Sequence, residues 1–263
     1  MAESENTLFI DGFFWSRHFE QVFCRPVYVF IEAVEKRLLP TFDNIEAEAT
    51  AVANDEWERF MTATVGPDDC VDPGDFADQA QDAGIEYCES LANVKQSLLN
   101  LSAVTLHHMF EQQMLFFYRK EVLDLRAAKR LEALVKKNLQ KAKERLEVGT
   151  VMKCLKGGGI NLHTLNAWVP LNELRLVANT IKHADGISSE QLRAKRPELF
   201  IHPRLRDRPD FMKGHLPLYQ PAAGEDLYLT LDDLKVYGEA VQQFWREFGE
   251  VILERSQKRR CGE

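Results

Sequence analysis

Metal-ligand spacings, phosphate loops and long apolar runs are all missing from this 263-residue chain. Each absence removes a class of protein. The five cysteines, Cys24, Cys70, Cys88, Cys154 and Cys261, form no CxxC pair, and none stands at a helical spacing from a histidine. A zinc cage therefore finds no support, no cofactor is expected, and reduced thiols in a cytoplasm are the economical reading. No stretch approaches the roughly 18 to 20 unbroken apolar residues that a membrane span requires. Even the segment around Met114 to Tyr118 is bounded by Glu111 and Arg119, so no membrane partner is expected. The opening Met1-Ala2-Glu3-Ser4-Glu5 is acidic where a secretory leader would be basic. The triplet Gly157-Gly158-Gly159 belongs to neither GxxxxGKS/T nor a strand followed by GxGxxG, so it reads as a helix stop. No nucleophile elbow, internal repeat or long low-complexity tract is present.

What is there is a chain with ample material for a core, 45% hydrophobic, with a net charge of -8 that is unevenly spread. Residues 1 to 118 hold 6 basic and 21 acidic side chains, and 119 to 155 hold 11 basic and 5 acidic. A free-standing duplex-DNA binder is usually basic overall, so any nucleic-acid contact must be local. The cationic set Lys129, Arg130, Lys136, Lys137, Lys141, Lys143 and Arg145 could follow a phosphate backbone. It lacks interleaved aromatics for base stacking, and could equally face the acidic first half of the chain, within one molecule or across a dimer.

The apolar periodicity is helical throughout. From Pro26 to about Thr62, Val29, Ile31, Val34, Leu38, Ile45, Val52, Trp57 and Phe60 mark an amphipathic helix broken near Pro40. After turn chemistry at Gly66-Pro67-Asp68-Asp69 and Asp72-Pro73-Gly74, a second helix is expected from Asp75 as far as Leu123, with Gly84 its weak point. Its half from Leu98 to Tyr118 is apolar nearly all round and predicts a buried spine. Arg126 to Glu147 is composed of strong helix formers. Pro170 fits as the first residue of a helix reaching His183, closed by Ala184-Asp185-Gly186, and Ser188 or Ser189 can cap a short helix to about Arg193. Five prolines between Arg196 and Tyr228 predict an extended arm. Thr230-Leu231-Asp232-Asp233 opens the last helix, to about Glu254, with Val241, Phe244, Trp245, Phe248 and Ile252 buried. The expected architecture is all-α: an elongated helical bundle in a single domain, 1-263. It has two long N-terminal helices (26-123), a remainder over 126-186, a proline-rich loop at 196-229 and a C-terminal helix at 230-255.

The most informative segment runs from Glu173 to Gly186. At 100° per residue, Lys182, Arg175, Asn179 and His183 fall at about -20°, 0°, 40° and 80°, with the apolar residues opposite. Arg can grip a phosphate bidentately, Asn can hold a hydroxyl or ring nitrogen, and His can carry a proton near neutral pH. The bland alternative is the solvated polar face that any surface helix presents. A second constellation, His107-His108-Phe110-Glu111-Gln112-Gln113, puts His107 and Glu111 one turn apart on the expected spine. A buried Glu111 would need a cation, and Arg175 is the leading candidate, with His183 nearer the open end of the groove. As a metal motif HHxxE is weak, and no metal is assigned.

An all-helical core whose late helix carries Asn179 and His183 four residues apart, with Arg175 upstream, resembles the HEPN superfamily of prokaryotic toxin and defence proteins. The text from Phe110-Glu111-Gln112-Gln113 through Glu173 to Gly186 and on to Arg196-Pro197-Glu198-Leu199-Phe200 also resembles a group of uncharacterised bacterial proteins. Active HEPN members use an Arg, separated from a following His by four to six intervening residues, to cleave RNA at a dimer interface without invoking a metal. The resemblance thus implies a metal-independent ribonuclease in stress or phage defence, with RNA, a second copy of the chain or a cognate protein as partner. His183 would be general acid/base, Arg175 and Lys182 would hold phosphate, Asn179 would orient, and Glu111 and His107 would bind ligand. This chain departs from the pattern at Ala178, where the Arg is usual; Arg175 is separated from His183 by seven intervening residues. That departure motivates the second expectation, a non-catalytic helical interaction or regulatory module in which the same arc is structural.

Overall fold

The computed structural model describes residues 10–62, 73–123, 148–203, 206 and 227–261. Every regular element among them is helical. The chain divides into two compact units, one formed by Met1–Ile31 and Leu101–Glu263, the other by Glu32–Asn100.

The first unit begins earlier than the periodicity from Pro26 predicts. Helix α1, Gly12–Phe19, is capped by Asp11, whose carboxylate accepts from the Phe14 N–H at 3.1 Å. A π turn over Glu20–Cys24 joins it to α2, Arg25–Ala33. The aromatic run that opens the chain is core material: Trp15, Phe19 and Phe23 are buried, on the same side as Phe117, Phe244, Trp245 and Phe248. Ring centroids lie 4.9 Å apart for Phe19 and Trp245, 4.4 Å for Phe23 and Trp245, and 5.2 Å for Phe117 and Phe248, within the range of favourable aromatic pairs. Inside this cluster, the Trp245 indole donates to Gln113 Oε1 at 2.7 Å and Gln113 Nε2 donates to the Phe23 carbonyl at 3.1 Å. The Trp245 indole and both ends of the Gln113 amide thereby find partners, whereas the buried Trp15 indole N–H has none among the described residues.

In the second unit, α3 (Ile45–Thr62) follows a break over Leu39–Phe42, at the predicted Pro40. Helix α4 spans Pro73–Phe117 without interruption and ends in a π turn over Tyr118–Leu123. Gly84, the predicted weak point, is where α4 touches α3: a Cβ there would stand 2.9 Å from the Ala49 carbonyl oxygen and 3.0 Å from Ala53 Cβ. An apolar groove of about 510 Å³ runs beside this contact, with Trp57 and Ile85 among its lining residues.

The later part of α4 belongs to the first unit and is buried on one side only. Leu106, Phe110, Met114 and Phe117 are inside, whereas Leu101 and Phe116 are 57% and 45% exposed. The expectation of a helix buried all round is corrected accordingly. Apolar composition overstates burial because a folded surface retains much apolar area.

After α5, Val148–Gly157, the glycine triplet is a stop: Gly159 has φ +80°, and Ile160 N–H reaches back to the Leu155 carbonyl at 2.8 Å. Helix α6, Trp168–His183, begins two residues before Pro170. Helix α7, Ile187–Lys195, starts before the expected serine cap: Gly186 is at its N-cap, and Ser189, in its first turn, accepts from the Gly186 N–H at 2.9 Å. The last helix, α8, runs Leu231–Cys261, about two turns beyond the expected Glu254. Its capping box forms as predicted: Thr230 N–H donates to Asp233 Oδ2 at 2.9 Å and Asp233 N–H to Thr230 Oγ1 at 3.1 Å. The predicted helix from Arg126 to Glu147, its cationic set, and most of the arm between Arg196 and Tyr228 lie outside the described residues.

Candidate functional site

Helix α6 offers two different sides. Leu171, Leu174, Leu176, Val177, Ala178 and Thr180 are buried, while Arg175, Lys182 and His183 are exposed. The buried side is anchored at Glu173, where Arg196 Nη1 donates to Oε1 at 2.6 Å and the Tyr237 hydroxyl donates to the same oxygen at 2.8 Å. Arg196 also meets Asp233 at 2.7 Å and Glu198. This four-membered ion cluster orients α6 against α7 and α8, and sequence reading passed it over because its members come from distant positions.

With that side fixed, the exposed side of α6 becomes one wall of a cleft of about 1100 Å³. Arg175, Lys182, His183, Asn172 and Trp168 line it, as do His107, His108, Glu111 and Gln112 of α4, Met152 of α5 and His163. Five of the six residues singled out beforehand, His183, Arg175, Lys182, Glu111 and His107, therefore share one concavity. Asn179 is half-buried and is not among its lining residues. His163, Trp168 and Asn172 were missed. Asn172 falls on the polar arc two turns before Asn179 and could have been found by extending the wheel.

The expected Arg175–Glu111 ion pair does not form. Arg175 Nε and Nη2 both donate to Asn172 Oδ1, at 3.1 and 3.0 Å. Glu111, 35% exposed, lies 3.6 Å from His107 Nδ1 and 3.8 Å from His108 Nδ1. The premise of a buried carboxylate fails: Glu111 faces the open cleft, where water can solvate it, and no neighbouring cation is obligatory. The cations of α6 act instead on His107. Burial first, then the positive charges of Lys182, Arg175 and His108, push its pKa down to about 4. Its ring is therefore neutral at pH 7, and its contact with Glu111 is that of a neutral imidazole.

His163 is set by a 3-10 turn, Leu162–Thr164, in which its own N–H donates to Asn161 Oδ1 at 3.3 Å. Its ring stands against Trp168, centroids 4.6 Å apart and planes at 68°. Trp168 opens α6, and the preceding Ala167 N–H is held by Glu247 of α8 at 3.2 Å. Among the described residues the cleft thus combines two permanent cations, one carboxylate, four imidazoles and an indole. Among the described residues, no group of three or more His, Cys, Asp or Glu is placed to hold a metal ion, and no helix is long and apolar enough to cross a membrane.

Comparison with protein-family models, curated proteins and solved structures gave no match in any of the three. The functional reading accordingly rests on the cleft itself.

Proposed function

We propose that this cleft binds a phosphate-bearing ligand, RNA foremost, and that His183 moves a proton in its cleavage. The observation that carries the reading is the exposure of Arg175, Lys182 and His183 on one wall of a cleft large enough to admit several nucleotide units. Lys182 offers a point charge and Arg175 a planar fork whose Nη1 makes no hydrogen bond among the described residues. Asn172 pre-orients that fork before any ligand arrives. His183, the last residue of α6, is exposed and lines the same cleft.

In a metal-independent cleavage, a base takes the proton of the ribose 2′-hydroxyl, the oxygen attacks the adjacent phosphorus, and the 5′-oxygen leaves with a proton from an acid. His183 fits the proton-carrying role, Arg175 and Lys182 the phosphate charge, and His108 stands across the cleft as a second imidazole. The likeness to HEPN proteins points the same way and carries defence or stress as the context, with a second copy of the chain as a possible complement to the site. Incubating the purified protein with total tRNA at neutral pH, beside His183→Ala, tests the catalytic part. Wild type is expected to fragment the RNA and the variant to leave it intact; equal integrity in both samples refutes catalysis.

A second reading is favoured by the position of Asn179 away from the cleft: the site would bind without reacting, as a regulatory or interaction module. It predicts retained RNA binding in His183→Ala together with intact RNA in every sample.

A further inference from the structure

We infer that the ligand of the cleft is a single-stranded oligonucleotide laid along α6, with a base stacked on Trp168 and phosphates at Arg175 and Lys182. The inference rests on the phosphate-binding reading above and adds to it the class and length of the ligand.

Trp168, Arg175 and Lys182 all line the cleft and stand seven residues apart. Seven residues advance a helix by about 10 Å and fall only about 20° short of two full turns. The three side chains therefore make one nearly straight row of about 21 Å along a single face, aromatic at one end and cationic from the middle onward. A free phosphate occupies one post of such a row, and a mononucleotide at most one interval. A strand that advances about 3.4 Å per nucleotide when stacked, and more when splayed, covers the row in about four to six nucleotides.

The aromatic end is built rather than incidental. Trp168 is half-buried, backed by His163 at 4.6 Å, and sits at the start of a helix whose entry is tied to Glu247. An indole so held offers a fixed surface to any base, which is how single-strand binders achieve affinity without sequence preference. Among the described lining residues of α4 the one carboxylate is Glu111, which repels phosphate and leaves the strand's backbone to Arg175 and Lys182. A carboxylate there can accept hydrogen bonds from base amino groups or ribose hydroxyls.

The test is calorimetric titration of the full chain with inorganic pyrophosphate, uridine monophosphate, and oligouridylates of two, four and six residues, repeated with Trp168→Ala and Trp168→Phe. Affinity should rise steeply from the monophosphate to the tetramer and level off by the hexamer. Trp168→Ala should weaken tetramer binding about tenfold while pyrophosphate binding is unchanged, and Trp168→Phe should retain most of the tetramer affinity. If monophosphate and tetramer bind equally, or Trp168→Ala leaves the tetramer unaffected while pyrophosphate still binds, the oligonucleotide assignment is overturned and phosphate binding survives. If wild type binds none of these probes, phosphate binding fails as well.

Discussion

His107 is the residue whose surroundings have the sharpest measurable consequence. Its ring is only 8% exposed, and burial together with Lys182, Arg175 and His108 lowers its pKa to about 4 from an unfolded value near 6.5. The folded chain therefore binds fewer protons here than the unfolded chain over that interval. Stability from the neutral ring is fully present above about pH 6.5 and is lost as pH falls toward 4, a difference of about 3 kcal/mol. Unfolding titrations of wild type and His107→Gln at pH 7 and pH 4 check this: wild type should lose about 3 kcal/mol relative to the variant, and a pH-independent difference would show that the ring titrates as in the unfolded chain. Arg196 carries a different cost. Arg196→Met leaves Glu173, Glu198 and Asp233 facing one another without their cation, and should lower unfolding free energy by about 2 kcal/mol. Ala184, with φ 55° directly after His183, holds a backbone conformation that suits glycine. Ala184→Gly should raise stability by up to about 1 kcal/mol in thermal melts, the strain being relieved rather than transferred.

At the scale of elements, close approach of helices is set by small residues. A Cβ on Gly12 would stand 2.2 Å from the Ile252 carbonyl oxygen, where only backbone movement of α8 can make room. Gly12→Ala should therefore destabilise by about 2 to 3 kcal/mol, read as a lower denaturation midpoint. By contrast Gly149 has no atom within 4 Å of its Cβ position, and Gly149→Ala within α5 should be neutral or slightly stabilising. Elements whose signals are local were legible in the sequence: the Thr230–Asp233 capping box, the break at Pro40 and the glycine stop after α5 each depend on a few adjacent residues. Helix α1 was not: Gly12–Phe19 is short, and the four-residue recurrence of Trp15, Phe19 and Phe23 lies before the expected helix start at Pro26. The polar arc of α6 was legible since a helical wheel fixes which residues share a face. The wheel does not say what stands opposite, so the Arg175–Glu111 pair was expected where the structure has Arg175 on Asn172 and Glu111 beside two histidines. His163 escaped because it comes to the cleft through the turn at Leu162–Thr164, whose path no periodicity encodes; Trp168 escaped because it precedes Pro170, the expected start of the helix.

For the whole molecule, charge decides how an anionic ligand can be bound. The chain carries a net charge of -8, and the unit Glu32–Asn100 holds 16 acidic against 4 basic side chains, so long-range attraction of RNA is not expected. In the proposed reading RNA is held by short-range contacts in the cleft, principally those of Arg175 and Lys182. Two phosphate contacts on a single strand correspond to a salt slope of only about -1.4 in log K against log salt. The most direct measurement is fluorescence anisotropy of a labelled single-stranded RNA titrated with wild type and with the Arg175→Gln, Lys182→Gln double variant at several salt concentrations. Far-ultraviolet circular dichroism should confirm equal helicity. The cleft account predicts at least tenfold weaker binding by the double variant and a slope that collapses toward zero. Equal affinity and equal slope in the two proteins would contradict it and place any RNA contact elsewhere on the chain.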